Sequence, residues 1–320
     1  MNLLLTYDDP YTPHAGVTMY SFLANNPGNH TVFVISDHIS EANQLLIKGV
    51  CEAFGSKVVF SFISADATKD FPVGEGTVNP TLSIATYFRL FMTELLPQEV
   101  QKILYLDCDI VVDGSLEGLW NTPFEDGKCI AALEEMPRLA NDGCKRMGYP
   151  SSFSYFNAGV LLIDLGRLRM VYSVEKASAF IRKHHDVILF HDQDVLNAMF
   201  YDKKQFFNLK YNVMDTHLIH DATFPARYQS QRDAIMQPAV IHYTGFFKPW
   251  HKECMHPYTF RYEEYLRQTP WKNERRVRKL SSAKDKTVFF LKHSIKLILD
   301  ALHIRKYRYI PIPKKNIQAK

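Results

Sequence analysis

Three short stretches of this sequence carry side chains whose types and spacing could do chemistry. The first is Asp107-Cys108-Asp109, which follows the apolar run Ile103-Leu104-Tyr105-Leu106 and precedes Ile110-Val111-Val112. Two carboxylates so spaced at a strand end can share one divalent cation, and an oxygen-rich ligand set beside a pyrophosphate suits Mn²⁺ or Mg²⁺. A pair of solvated loop acids is the plain alternative. Acids wedged between apolar runs need a partner, however, because unpaired buried charge is costly. The second stretch is His242-Tyr243-Thr244-Gly245-Phe246-Phe247-Lys248-Pro249-Trp250. Its histidine ends a strand pattern and could be a third metal ligand. Gly245 allows close backbone approach to a phosphate, and Lys248 offers that phosphate a point charge. The competing reading is a surface hairpin with a core tryptophan. The third stretch, His191-Asp192-Gln193-Asp194-Val195-Leu196-Asn197, opens a helix pattern. Asp192 or Asp194 is expected to cap it, and the remaining polar groups could grip sugar hydroxyls.

These acids lie far apart in sequence, so the elements between them must bring them to one rim. Leu3 to Thr6, Thr31 to Ser36, Lys57 to Ile63 and Lys102 to Leu106 read as strands. Between them, Pro13 to Ala24 reads as a helix with Thr12 as its cap, Ser40 to Phe54 as an amphipathic helix stopped at Gly55, and Leu82 to Leu95 as a helix ended by Pro97. Alternating strands and helices predict an α/β fold with a mostly parallel sheet. Ligands on such sheets sit at the carboxyl ends of the strands. Asp8-Asp9 and Asp107-Cys108-Asp109 follow the first and fourth strands and so share that rim. Further on, Phe156 to Asp164 contains a buried strand, Val174 to His184 and Asp192 to Phe200 look helical, and Ala239 to Tyr243 is a short strand. Nothing divides the body, which reads as one domain over residues 1–270 followed by a tail over 271–320. No Gly-x-Gly-x-x-Gly follows the first strand, which argues against a dinucleotide-binding dehydrogenase.

The chain of 320 residues is 46% hydrophobic and 22% charged, enough to bury a sizeable core. Its net charge of +4 hides an asymmetry. Residues 275–320 hold 14 Lys and Arg against two Asp, a net +12, while the remainder holds 24 against 32 acids, a net −8. A basic tail on an acidic body predicts contact with an anionic surface. Thr287 to Tyr307 mixes Val288, Phe289, Leu291, Ile295, Ile298, Leu302 and Ile304 with Lys292, Lys296 and Arg305. The charges interrupt it too often for a membrane span. A basic amphipathic helix lying in the interface fits better, although packing on the body is the alternative. Few stacking aromatics favour a membrane over nucleic acid, which is not an expected partner. The first residues lack a basic start and a long apolar run, so no signal peptide is expected. Five cysteines, an odd count without a Cys-x-x-Cys pair, read as reduced thiols. Together these features predict a cytoplasmic protein attached peripherally to the inner face of the cell membrane.

Six segments, in order, resemble glycosyltransferase family 8, the retaining family that includes bacterial lipopolysaccharide galactosyl- and glucosyltransferases. They are Thr6-Tyr7-Asp8-Asp9-Pro10-Tyr11, Tyr87-Phe88-Arg89-Leu90, Tyr105-Leu106-Asp107-Cys108-Asp109, Phe156-Asn157-Ala158-Gly159-Val160, Asp192-Gln193-Asp194-Val195-Leu196-Asn197 and His242 to Trp250. The resemblance runs over roughly residues 1–265. It implies a GT-A fold and a hexosyltransferase that moves galactose or glucose from a UDP-sugar to a glycan or glycolipid acceptor. It also implies Mn²⁺ on Asp107, Asp109 and His242, the uracil at Asp8 and Tyr11, and the diphosphate at Gly245 and Lys248. Arg89, Asn157, Asp192 and Gln193 would surround the donor hexose. Pro10 departs from relatives that often carry Asn, and proline has no side-chain hydrogen bond to give. An amide is a poor nucleophile, so the expected route is front-side attack, with Gln193 stabilising the sugar cation and Asp192 holding hydroxyls. The acceptor is expected around Met136 to Phe153. The alternative function is a sugar-nucleotide-binding or glycan-priming protein with little transfer.

Overall fold

Near-continuous apolar runs in the sequence become strands covered on both faces, as a largely parallel sheet requires. The computed structural model describes residues 1–73, 83–220, 222–301, 309, 310 and 312. The strands are β1 (Asn2–Thr6), β2 (Thr31–Ser36), β3 (Lys57–Phe62), β4 (Lys102–Leu106), β5 (Ile110–Val112), β6 (Ile130–Glu134), β7 (Phe156–Asp164), β8 (Lys204–Phe206), β9 (Val213–Met214) and β10 (Val240–His242). Seven form the main sheet in the order β3-β2-β1-β4-β7-β6-β8. The first four of these run parallel, and β7 lies antiparallel to both β4 and β6. Alternation along β1 sends Leu3 and Leu5 into one core and Leu4 into the other, so each face of the sheet has its own apolar cluster.

A second sheet, β5-β10-β9, builds the rim. β10 runs antiparallel to β5 with His242 opposite Ile110. That register sets the histidine beside Asp109, although 133 residues of chain separate them.

Two local readings are corrected. Thr12 lies inside the helix α1 (Thr12–Asn25) rather than capping it, and its hydroxyl donates back to the Asp9 carbonyl in the preceding turn. The segment expected as a helix from Leu82 to Leu95 is a tighter 3₁₀ turn over Ile84–Phe91, followed by one α turn, Met92–Leu95; Leu82 lies outside the described residues. In a 3₁₀ helix residues i and i+3 eclipse. Thr86 and Arg89 therefore project to the same side, where both reach Asp192.

The tail helix spans Ala283–Ala301. Leu302, Ile304 and Arg305, which belonged to the expected amphipathic stretch, lie outside the described residues. The chain leading into the helix is bonded to the body: the Val277 amide donates to the Trp250 carbonyl, and Arg276 donates to the His251 carbonyl. Farther on, the Ile310 amide donates to the Leu218 carbonyl.

Trp271 is nearly buried against Gly16 of α1, and a Cβ at Gly16 would fall inside contact distance of the indole. Gly16→Ala should therefore expel the ring. Overpacking costs about 1–3 kcal/mol, and a chain of this size loses roughly 2–4 °C per kcal/mol. A melting temperature several degrees lower is expected, read by differential scanning fluorimetry; an unchanged value would show that Trp271 does not pack there.

Candidate active site

The carboxyl ends of β1 and β4, with the loop after β10, enclose a cleft of about 300 Å³. Asp8, Tyr11, Arg89, Asp107, Asp109 and Lys248 line it. A smaller adjoining cavity of about 210 Å³ shares Thr86, Arg89 and Asp107 and adds Asp192, Gln193 and Thr244. The two form one cleft with two ends.

Asp107, Asp109 and His242 meet at its floor, with one ligand atom from each lying within 4.8 Å of the others. His242 Nε2 stands 3.2 Å from Asp109 Oδ1 and 3.6 Å from Asp107 Oδ2. Its Nδ1 is 2.9 Å from Asn212 Oδ1. The Asn212 amide nitrogen donates to Asn157 Oδ1, so its oxygen faces the imidazole and Nδ1 is the protonated nitrogen. Nε2 then turns its lone pair toward two carboxylates. Such an arrangement is repulsive until a cation or a second proton stands between them. Burial pulls the His242 pKa down, but Asp109 and Asp107 outweigh it and the net shift is upward. Asp109 Oδ1 is buried and has no hydrogen-bond partner among the described residues. A divalent cation satisfies all of these groups at once, so the residues fit the metal that the sequence suggests. Burial raises the Asp109 pKa, yet Lys248 and His242 together hold it below the usual carboxylate range. Lys248 Nζ bonds Asp109 Oδ2 at 2.7 Å and the Tyr243 carbonyl at 2.8 Å.

Arg89 joins the two ends. One terminal nitrogen donates to Asp107 at 2.8 Å, the other to the Ala158 carbonyl at 2.7 Å, and Nε pairs with Asp192 at 2.8 Å. The guanidinium lies 4.1 Å from the centroid of the Tyr105 ring, and the Tyr105 hydroxyl also donates to Asp107. Asp192 is buried, which lifts its pKa to about 6 against the pull of Arg89. It also accepts a hydrogen bond from Thr86. Gln193 accepts from the Ala158 amide at 2.9 Å, which fixes its side chain at the same point of β7. These residues begin the helix His191–Phe200, and His191 itself has a φ of 50°, in the left-handed region. Backbone strain of this kind costs on the order of 1 kcal/mol or more and is held in place by the packing around it.

Two of the acids near the helix start have separate roles. Asp194 accepts from the Leu189 and Phe190 amides and from Tyr155, and pairs with Arg146, so it holds the fold. Asp192 faces the cleft. Asn157 stands behind the histidine, holding Asn212, Glu135 and the Gly159 amide, and lines neither end of the cleft. Gly245 lines a different cavity, packed against Asp215. Sequence reasoning gave no role to Thr86, Tyr105 or Asn212. Thr86 lies beside a quoted motif and Tyr105 opens one, whereas Asn212 carries no sequence signal of its own.

The model for "Glycosyl transferase family 8" matches residues 2–254. A lipopolysaccharide 1,2-glucosyltransferase of Escherichia coli is 27% identical over 277 residues, 86% of this chain and 80% of that protein. General stress protein A of Bacillus subtilis is 28% identical over 283 residues, 85% of this chain and 94% of that protein. Among solved structures, the galactosyltransferase LgtC in complex with donor and acceptor sugar analogues superposes with a TM-score of 0.76 at 29% identity, covering 84% of this chain and 96% of that one. The fold described above is thus the GT-A fold of a glycosyltransferase.

Gly159 gives Asp107 and His242 their room. A Cβ there would strike the His242 ring and come within 2.8 Å of Asp107 Oδ2. Gly159→Ala is expected to weaken Mn²⁺ binding, titrated by electron paramagnetic resonance, by about 10-fold or more, with the far-ultraviolet circular dichroism unchanged. Wild-type affinity in the variant would show that the three ligands do not converge as described.

Proposed function

The chain belongs to glycosyltransferase family 8 and is a hexosyltransferase, and from that premise we propose that it transfers galactose or glucose from a UDP-sugar to a glycan or glycolipid acceptor, with Mn²⁺ bound and the anomeric configuration retained. The observation that carries the reading is the convergence of Asp107, Asp109 and His242 beside a cleft that Asp8, Tyr11 and Lys248 also line. Asp8 Oδ1 is buried and lacks a hydrogen-bond partner among the described residues, which suits the imide N–H of uracil. Tyr11 offers the base an apolar ring. Pro10, in the same wall, contributes shape but no side-chain hydrogen bond.

When bound, the metal would neutralise charge on the departing diphosphate. Lys248 stands near enough to add a second positive charge, which is stronger help as UDP leaves than before. Asp192 and Arg89 hold the hexose end. Gln193 presents a neutral amide where a sugar cation would form, so the departing phosphate itself guides the acceptor hydroxyl to the same face. The chosen donors follow the relatives, one described as a glucosyltransferase and one as a galactosyltransferase.

The membrane reading of the tail is part of the same proposal. Val288, Leu291, Ile295 and Ile298 fall on one side of the helix and are exposed, with Lys284, Lys292 and Lys296 exposed around them. No helix among the described residues is long and apolar enough to cross a membrane. A stripe of this kind gains from burial in the interface and by on the order of 1 kcal/mol per well-placed Lys near anionic headgroups. Attachment to the cytoplasmic face of the cell membrane would bring the enzyme to a lipid-linked acceptor.

Experiments on the cleft and on the tail test these readings. In a screen of UDP-glucose and UDP-galactose, hydrolysis and transfer should stop in excess chelator and return with Mn²⁺. Asp107→Asn and Asp109→Asn should each abolish both while the chain stays folded. Proton NMR of the product should show an α anomeric signal from an α-linked donor; a β signal, or full activity in chelator, would sink the mechanism. For the tail, Leu291→Asp with Ile295→Asp should lower binding to phosphatidylglycerol vesicles about 10-fold or more without changing donor hydrolysis, and salt should weaken binding by the parent chain. Unchanged vesicle binding in the double variant would leave the stripe without that role.

A further inference from the structure

Glu135 is a buried acid that lines neither end of the cleft. It lies one residue past β6 and is 4% exposed. The register of β6 on β7 slips between Ala131 and Leu133, so that Leu133 stands opposite Asn157. Two residues on, the Glu135 amide donates to the Tyr155 carbonyl at 2.8 Å. The carboxylate reaches back to β7. Its Oε2 accepts from Asn157 Nδ2 at 3.3 Å, and its Oε1 accepts from the Met136 amide at 3.0 Å.

Both oxygens thus face N–H donors, which calls for the ionised form, since a neutral acid would have to donate from one of them. Burial pushes the Glu135 pKa up, while these bonds and His242 pull it down. Among the described residues no lysine or arginine pairs with it. A buried charge without a counterion is costly, so a carboxylate kept at this place points to a cation farther along its hydrogen bonds.

Those bonds run one way. The Gly159 amide can only donate, and it donates to Asn157 Oδ1 at 3.0 Å, which turns Asn157 Nδ2 toward Glu135. Asn212 Nδ2 donates to the same Asn157 oxygen at 2.9 Å, which turns Asn212 Oδ1 toward His242 Nδ1, 2.9 Å away. His242 therefore donates to Asn212, Asn212 to Asn157 and Asn157 to Glu135. The file of bonds ends on a negative charge. Bonds aligned in this way polarise one another. A ligating imidazole whose far nitrogen donates toward a carboxylate keeps its tautomer and ring direction and becomes a more basic ligand. Here two side-chain amides stand between the histidine and its carboxylate.

We propose that Glu135 is a positioning residue for the metal centre: its charge, carried through Asn157 and Asn212, fixes the tautomer and direction of His242 and makes Nε2 a stronger ligand. The inference rests on the reading of Asp107, Asp109 and His242 as the ligands of a divalent cation. Glu135 acts on that cation through His242 and not by touching it.

The test uses the full chain, with Mn²⁺ titrated by electron paramagnetic resonance both alone and in the presence of UDP. Glu135→Gln keeps the size of the side chain and removes its charge. It should weaken Mn²⁺ binding about 10-fold. It should also reduce the ¹⁴N modulation that His242 gives the bound ion in pulsed spectra, which a merely structural role would not do. Asn212→Ala cuts the file of bonds between Glu135 and the histidine, and Glu135→Gln added to that variant should cost less than about twofold more. If Asn212→Ala does not fold, Asn157→Ala makes the same cut one link earlier. Parent affinity in Glu135→Gln overturns the proposal. So does an equal loss from Glu135→Gln in the parent and in the cut background, since independent effects multiply. A lower melting temperature with affinity and modulation unchanged assigns the acid to folding alone and overturns it too. In each of these cases a parent chain that binds Mn²⁺ leaves the metal reading standing. A parent chain that takes up no Mn²⁺, with or without UDP, strikes the metal reading and the proposal with it.

Discussion

The cleft depends on one buried guanidinium. Arg89 is nearly inaccessible, and burying an unpaired charge costs several kcal/mol even after relaxation. Besides the Thr86 carbonyl of its own turn, it is held by acceptors from three other parts of the chain: Asp107 after β4, Asp192 at a helix start and the Ala158 carbonyl in β7. Each acid in turn needs the cation. Asp107 and Asp192 would otherwise add two like charges to one low-dielectric site. The planar fork of arginine serves divergent acceptors simultaneously, which a lysine ammonium at this position could not reproduce. The two ends of the cleft are therefore one electrostatic unit, and loss of any member leaves a buried charge without its counterpart.

Neighbouring amides and hydroxyls support this unit by fixing directions rather than charges. Asn157 bonds the Gly159 amide and Asn212, Asn212 orients His242, and the Tyr105 hydroxyl donates to Asp107 while standing 3.2 Å from the Thr6 hydroxyl. These contacts come from β1, β4, β7 and the segment before β9, so the sheets act as the frame on which the ligands are aimed. A cation held by Asp107, Asp109 and His242 would need such orientation, because ligand atoms misplaced by even about 1 Å lose much of their value.

Much of this could be read from the residues. The strand limits at Thr31, Ser36 and Lys57, the helix Val174–His184 and the turn at Gly55, with φ of 65°, follow from short-range pattern, which sequence carries directly. The shared rim for Asp8 and Asp107 follows from parallel topology. The unreadable part is whatever depends on register and helix type. Nothing near Tyr211 or Val213 marks Asn212 as the residue behind a histidine; that role exists only because β10 pairs with β9 and β5 at once. The 3₁₀ form of Ile84–Phe91 is equally invisible, since its residues have ordinary helical periodicity, yet it decides that Thr86 and Arg89 point together. Asp192 and Asp194 look interchangeable in sequence. They separate only when the amides of Leu189 and Phe190 claim one of them.

The charge asymmetry of the chain has a structural counterpart at the junction of body and tail. Arg276 pairs with Glu263 and donates to the His251 carbonyl, and the Lys279 amide donates to Glu253, so the acidic body draws in the first part of the basic segment. Lys284, Lys292 and Lys296 of the following helix are exposed beside the apolar stripe. Phe289 is the hinge between these regimes, since it packs on Phe247 of the loop that also carries His242 and Lys248. A helix fixed at its start by ion pairs and seated by one aromatic contact keeps its outer face free without becoming independent of the cleft. The tail's position and the position of the loop that follows His242 must therefore be considered together.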